Sequence, residues 1–106
     1  MSLTSASIFG EIIDQRPYLL LNTDATNMEF TKGSPAHVAG FMFHCCGMAW
    51  TGWVHVLSRH AAELDIVAFT IGRHGKYEER CRVDGVSKDH LGPTLEAMID
   101  GDTDAT

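Results

Sequence analysis

Basic charge is scarce in this chain: eight Lys and Arg stand against fourteen Asp and Glu, a net charge of −6 at neutral pH. A nucleic-acid surface needs a basic patch to neutralise phosphates, so no direct nucleic-acid partner is expected. Part of the acid excess sits in the last residues, "DGDTDAT", which makes the body less acidic than the total implies. Cysteine is scarce too. There are three, with two adjacent, and an odd number in this arrangement does not form a secreted disulfide framework. The opening "MSLTSASIFG" lacks the basic and apolar regions of a secretory leader, and a cytoplasmic location is expected. The longest apolar stretch, residues 38–57, is interrupted by Gly40, His44, Gly47, Thr51, Gly52 and His55. It falls short of a membrane span of roughly 20 apolar residues, so no membrane partner is expected. No internal repeat, phosphate loop or CxxC pair is present.

What is present suits a small globule. At 106 residues and 44% hydrophobic, the chain is the size of one domain with enough apolar volume for a core without disulfides. Residues 1–101 are read as a single α+β domain and residues 102–106 as a flexible acidic tail. Ile8, Phe9, Ile12 and Ile13 repeat at helical spacing before Pro17, which predicts a first helix with Ser5 as its cap. "YLLLNT" reads as a buried strand and "NMEFTK" as its hairpin partner. Ser34 followed by Pro35 is a helix-start signal, so a long helix is expected from residue 35 to about Leu64, with Gly47 and Gly52 as breaks. "DIVAFTIG" suits a strand, "RHGK" a hairpin turn, and "YEERCRV" the returning strand. In that strand Tyr77, Glu79, Cys81 and Val83 are assigned to one face. A turn at Asp84-Gly85 then precedes a final helix carrying Leu91, Leu95, Met98 and Ile99 and ending at Gly101. The expected architecture is a small, mostly antiparallel sheet packed against a long central helix.

On that helix Ala39, Met42, Phe43, Cys46, Trp50, Trp53, Leu57 and Leu64 form the buried stripe, with His37, His44, Thr51, His55 and Arg59 opposite. Cys45 lies between, beside Gly52, on a flank suited to contact with another subunit, and a homo-oligomer is expected through this flank or a sheet edge. His37 and His44 are seven residues apart, ~10 Å along a helix, too far to share one metal ion. A zinc site would need Cys81, His90 or another subunit, and no metal or cofactor is expected. Met42, Trp50 and Trp53 are the candidates to line a pocket for a small apolar ligand. Cys46 is the candidate catalytic thiol.

"SPAHVAGFMFHCCGMAW" and "ELDIVAFTIGRHG" together resemble the OsmC/Ohr family of peroxide-reducing proteins over about residues 33–90. The resemblance implies that Cys46 attacks a peroxide oxygen as the thiolate and that a second cysteine resolves the sulfenic acid. The family's helix carboxylate would fall at Ala36 or His37, and no cysteine follows the last helix to act as the resolving thiol. From the residues alone, the chain is read as a binding or protein-interaction domain, with thiol-dependent peroxide reduction at Cys46 as the alternative.

Overall fold

The computed structural model describes residues 4–33, 37–46, 51–59 and 63–100. Helix α1 (Ser5–Gln15) is nucleated by Thr4, whose Oγ1 accepts the Ser7 N–H at 3.1 Å, so the cap lies one residue before Ser5. Ile8 and Ile12, four residues apart, are fully buried, and Pro17 follows the end of the helix. The "YLLLNT" segment is not a strand. Leu19–Asn22 forms a single helical turn, α2, whose Leu19 and Leu20 plug the core while Leu21 stays exposed. Thr23 stops it by returning its hydroxyl to the Leu19 carbonyl at 2.8 Å.

Five strands follow in an antiparallel meander, in spatial order β1-β2-β3-β4-β5. They are β1 (Thr26–Lys32), β2 (Ala39–Cys46), β3 (Thr51–Ser58), β4 (Glu63–Ile71) and β5 (Tyr77–Ser87). Helix α3 (Leu91–Asp100) closes the chain. The expected strands at β1, β4 and β5, the "RHGK" turn and the last helix are all present, and Leu91, Leu95, Met98 and Ile99 are its buried residues. Gly101 and residues 102–106 lie outside the described residues, as do Ser34 and Pro35.

The long central helix is replaced by strands β2 and β3 and the start of β4. The deciding pattern has period two: Phe41, Phe43 and Cys45 are buried on the helix-covered side, and Met42, His44 and Cys46 point the other way. Along β3, Val54, Val56 and Ser58 alternate in the same way with Trp53, His55 and Leu57. Phenylalanine, tryptophan and valine at these densities favour a pleated surface, and the glycines at 40 and 52 weaken a helix. The run looked helical because both faces are apolar, so spacings of two, three and four all find hydrophobic residues.

The three α-helices of the described residues cover one face of the sheet. Ile8 and Ile12 of α1, Leu19 and Leu20 of α2, and Leu91, Leu95, Met98 and Ile99 of α3 pack with Phe41, Phe43, Val54, Val56, Leu64 and Ile66 in one core. Gln15 clasps the two long helices: its Oε1 accepts the Gly92 N–H at 2.7 Å and its Nε2 donates to the Lys88 carbonyl at 2.6 Å. A side chain at position 92 would run into Gln15, so the close approach requires glycine there.

Two irregularities in β5 set its faces. Ala68 pairs Cys81 while Phe69 pairs Glu79, so one extra residue is bulged out at Arg80 and the alternation changes phase. Tyr77 and Glu79 therefore lie on the uncovered face and Cys81 and Val83 on the core side, not all four on one face. The Asp84-Gly85 pair is a second bulge inside β5, with Gly85 at φ +69°, rather than a turn ending it.

Replacing Ile12 by Ala is expected to lower the unfolding free energy by about 2–5 kcal/mol. The same change at the half-exposed Ile13 should cost well under half of that, and urea titration of the two variants checks the contrast.

Candidate functional site on the open face of the sheet

The face of the sheet turned away from the helices is covered by no element among the described residues, yet it is not a polar surface. Its cross-strand rows follow from the register. Glu29, Met42, His55, Val67 and Arg82 form one row across all five strands. His44, Trp53, Phe69 and Glu79 form the next. Aromatic rings connect across four strands: His44 to Trp53 at 5.1 Å between centroids, Trp53 to Phe69 at 6.4 Å with planes 10° apart, and Phe69 to Tyr77 at 4.8 Å. Val67 and Phe69 retain only 4% and 7% of their surface, whereas Tyr77 and Ile71 are more than half exposed.

A polar cluster closes one end of this face. Asp65, only 2% exposed, accepts from His37 Nε2 at 2.8 Å and Arg59 Nε at 2.7 Å through Oδ2, and from the Gly85 N–H at 3.1 Å through Oδ1. Burial alone would raise its pKa, but these three donors outweigh burial and hold the carboxyl below its ordinary 3.8. The same contact raises the Arg59 pKa through its hydrogen bond to Asp65.

Beside this cluster Gly40 leaves a gap in the surface. The His55 ring crosses it to meet Thr31 Oγ1 at 2.9 Å, and a Cβ on Gly40 would collide with both groups. Burial pushes the His55 pKa below 6.5, His37 adds to that, and Glu29 opposes it. His37, His44 and His55 thus share a side of the sheet, but among the described residues no group of three His, Cys, Asp or Glu is placed to hold a metal ion.

The cysteine assignment is reversed. Cys45 is the fully buried thiol, and burial, with Cys46 adding to it, pushes its pKa to about 11. Cys46, expected at the centre of the buried stripe, is exposed at the end of β2 opposite Thr51, and its N–H donates to the Thr23 carbonyl at 2.7 Å. Among the described residues it lies at the end of a strand, not in a helix. Cys81 is partly buried, and burial followed by Glu79 raises its pKa against the opposing effect of Arg80.

Met42 and Trp53 do meet as diagonal neighbours on the open face, across the Met42–His55 and His44–Trp53 pairs. They contribute to a surface rather than to a gap between helix and sheet. Trp50 lies outside the described residues, with Gly47, Met48 and His60. Phe69, Tyr77 and Asp65 are not candidates from the sequence, where the helical period separates His44 and His55 from Trp53. The signal for this grouping was the two-residue alternation in "FMFHCC" and "GWVHVLS". No family model, curated protein or solved structure matches the chain.

Two outcomes are expected. In the folded protein Cys46 should react with maleimide far faster than Cys45, so a Cys46→Ser variant should lose the fast phase measured by mass spectrometry. Stability should also fall in acid in two steps. His55 has a depressed folded pKa, so its contribution is present above 6.5 and is lost as pH falls through its lower folded value. Asp65 behaves likewise from 3.8 downward. Denaturation midpoints measured across pH should lose the upper step in His55→Gln and the lower step in Asp65→Asn. The latter variant should be weaker by on the order of 2 kcal/mol at neutral pH, the scale of hydrogen bonds to a charged group.

Proposed function

We propose that this chain is a protein-interaction domain that works through the open face of its sheet. The observation that carries the reading is the run of rings from His44 through Trp53 and Phe69 to Tyr77, which lies on the side that no helix among the described residues covers. Of these rings Tyr77 is more than half exposed, His44 and Trp53 are partly exposed and Phe69 is nearly buried, and aromatic residues and Met are enriched where proteins meet. The acidic charge argues against nucleic acid, in which exposed aromatic sheets stack bases on a basic background. The ring run crosses four strands, a span that favours a macromolecular surface over the small apolar ligand as occupant.

Thiol-dependent peroxide reduction at Cys46 is the second reading, and the exposure of that thiol is what favours it. Its activation would have to come from groups other than a helix, since the described part of the "FMFHCC" segment is strand.

No helix among the described residues is long and apolar enough to cross a membrane.

The interaction reading is tested by placing a photo-crosslinking benzoylphenylalanine at position 44, 53 or 77 in the full chain and irradiating cells that express it. Covalent adducts are expected at these three positions and not at position 14, which is exposed on α1 on the opposite side. Adducts at position 14 alone, or at none of the four, would count against it.

A further inference from the structure

We infer that the open face docks against the same face of a second copy of this chain, with a two-fold axis running along β3. This rests on the interaction reading and names its partner. The area is adequate. Five strands at ~4.8 Å spacing and about eight residues at ~3.4 Å present a patch of roughly 24 by 27 Å before side-chain relief is counted. That approaches the ~800 Å² per partner of a standard stable interface. Two such faces stacked ~10 Å apart are the ordinary geometry of a β-sandwich.

The row register makes the face complementary to itself. An interface of this symmetry requires that every residue meet the surroundings that its own partner meets. An odd number of strands puts β3 in the centre, and rotation about it lays β1 over β5 and β2 over β4. In the row Glu29, Met42, His55, Val67, Arg82, reversal places Glu29 against Arg82, Met42 against Val67, and His55 against its own copy. In the adjacent row His44 falls against Phe69 and Trp53 against Trp53. An axis across the strands would instead set Glu29 facing Glu29 and Arg82 facing Arg82, so the charges select the axis along β3. The ~30° crossing of aligned sheets shifts the rims by several Å, within the reach of an arginine side chain.

Pairing through the edges is disfavoured by the same chain. β1 carries a register break at Asn27, which has φ 52°, and β5 carries two bulges and the charged residues Glu78, Glu79, Arg80 and Arg82, devices that keep strand edges from adding further strands.

The test is sedimentation equilibrium of the purified full chain, with circular dichroism to confirm folding of each variant. A dimer is expected, and Trp53→Glu should leave a folded monomer. Glu29→Arg should weaken association by about 10-fold, and adding Arg82→Glu should restore it. Because Arg82 also holds Glu79 and Asp84, a second test avoids it. A Leu57→Cys chain in a Cys46→Ser background should join to itself through a short bis-maleimide, since position 57 lies on the axis strand, and Ile71→Cys should not. A wild-type monomer at roughly 100 µM, above the micromolar range of standard-size interfaces, would overturn the inference, as would a dimer indifferent to Trp53→Glu. In that case crosslinks from positions 44, 53 and 77 to a different protein leave the interaction reading standing, and their absence removes both.

Discussion

The Asp65 carboxylate is the point on which the open side of the sheet depends. A carboxylate with 2% of its surface exposed has lost its water and must be repaid by donors. The donors come from three other places in the chain: His37 before β2, Arg59 after β3, and the Gly85 amide at the β5 bulge. One side chain on β4 therefore fixes the ends of three further strands. At the bulge Gly85 adopts a left-handed conformation that other residues avoid, and its N–H donates to Asp65. With these ends held, the register across the sheet is fixed, and with it the rows that bring His44, Trp53 and Phe69 into line.

The contrast between the two faces comes from where the helices can go. The buried stripes of α1 and α3 are satisfied by the face built from Phe41, Phe43, Val54, Val56, Leu64 and Ile66, and Gln15 locks the two helices side by side on it. Nothing of the described chain is left to cover the other face. A solvated sheet would place polar residues there, giving a clean alternation of hydrophobic and polar. Here Met42, Trp53, Leu57, Val67 and Phe69 stand at outward positions of β2, β3 and β4, beside His44, His55 and the paired Asp65. The departure from that rule points to a role for the surface, because these side chains stand outside the cluster that the helices cover.

The same departure explains what the sequence did and did not reveal. α1, β4, the β4–β5 turn and α3 were legible because each carries a local signal, even though Gly10 left a strand as the rival for α1: an i, i+4 pair, a β-branched run, Gly after His, or Leu91 to Ile99 at helical spacing. Residues 39–58 were not, since an apolar residue on nearly every position satisfies a helical and a strand period equally. Misreading the period reversed the cysteines: 100° per residue puts Cys46 with Phe43 and Trp50, whereas 180° puts Cys45 with Phe43 and exposes Cys46. The β5 faces were misassigned for a different reason, as a bulge is a property of pairing and leaves little mark in a seven-residue string. Asp65 was invisible in the sequence because its partners are 28, 6 and 20 positions away and converge only through the meander.

The acidity of the chain bears directly on whether two copies can meet. A net charge of −6 repels a second copy, so an interface survives only if the charge lies elsewhere or is already compensated. Around the open face Glu63 and Asp65 are within ion-pair reach of Arg59, and Glu79 and Asp84 of Arg82. Glu29 is the carboxylate of the central row, and Arg82 stands at the other end of that row. The remaining acids of the body include Glu11 and Asp14 on α1, Asp89 before α3 and Glu96 on it. Docking open face to open face turns these helices outward, with two sheets between them. Two sheets ~10 Å apart, each backed by a helix layer of similar thickness, keep those charges about 30 Å apart, several times the ~8 Å Debye length at physiological salt. Self-repulsion is then screened, and the apolar rows are left to decide the contact.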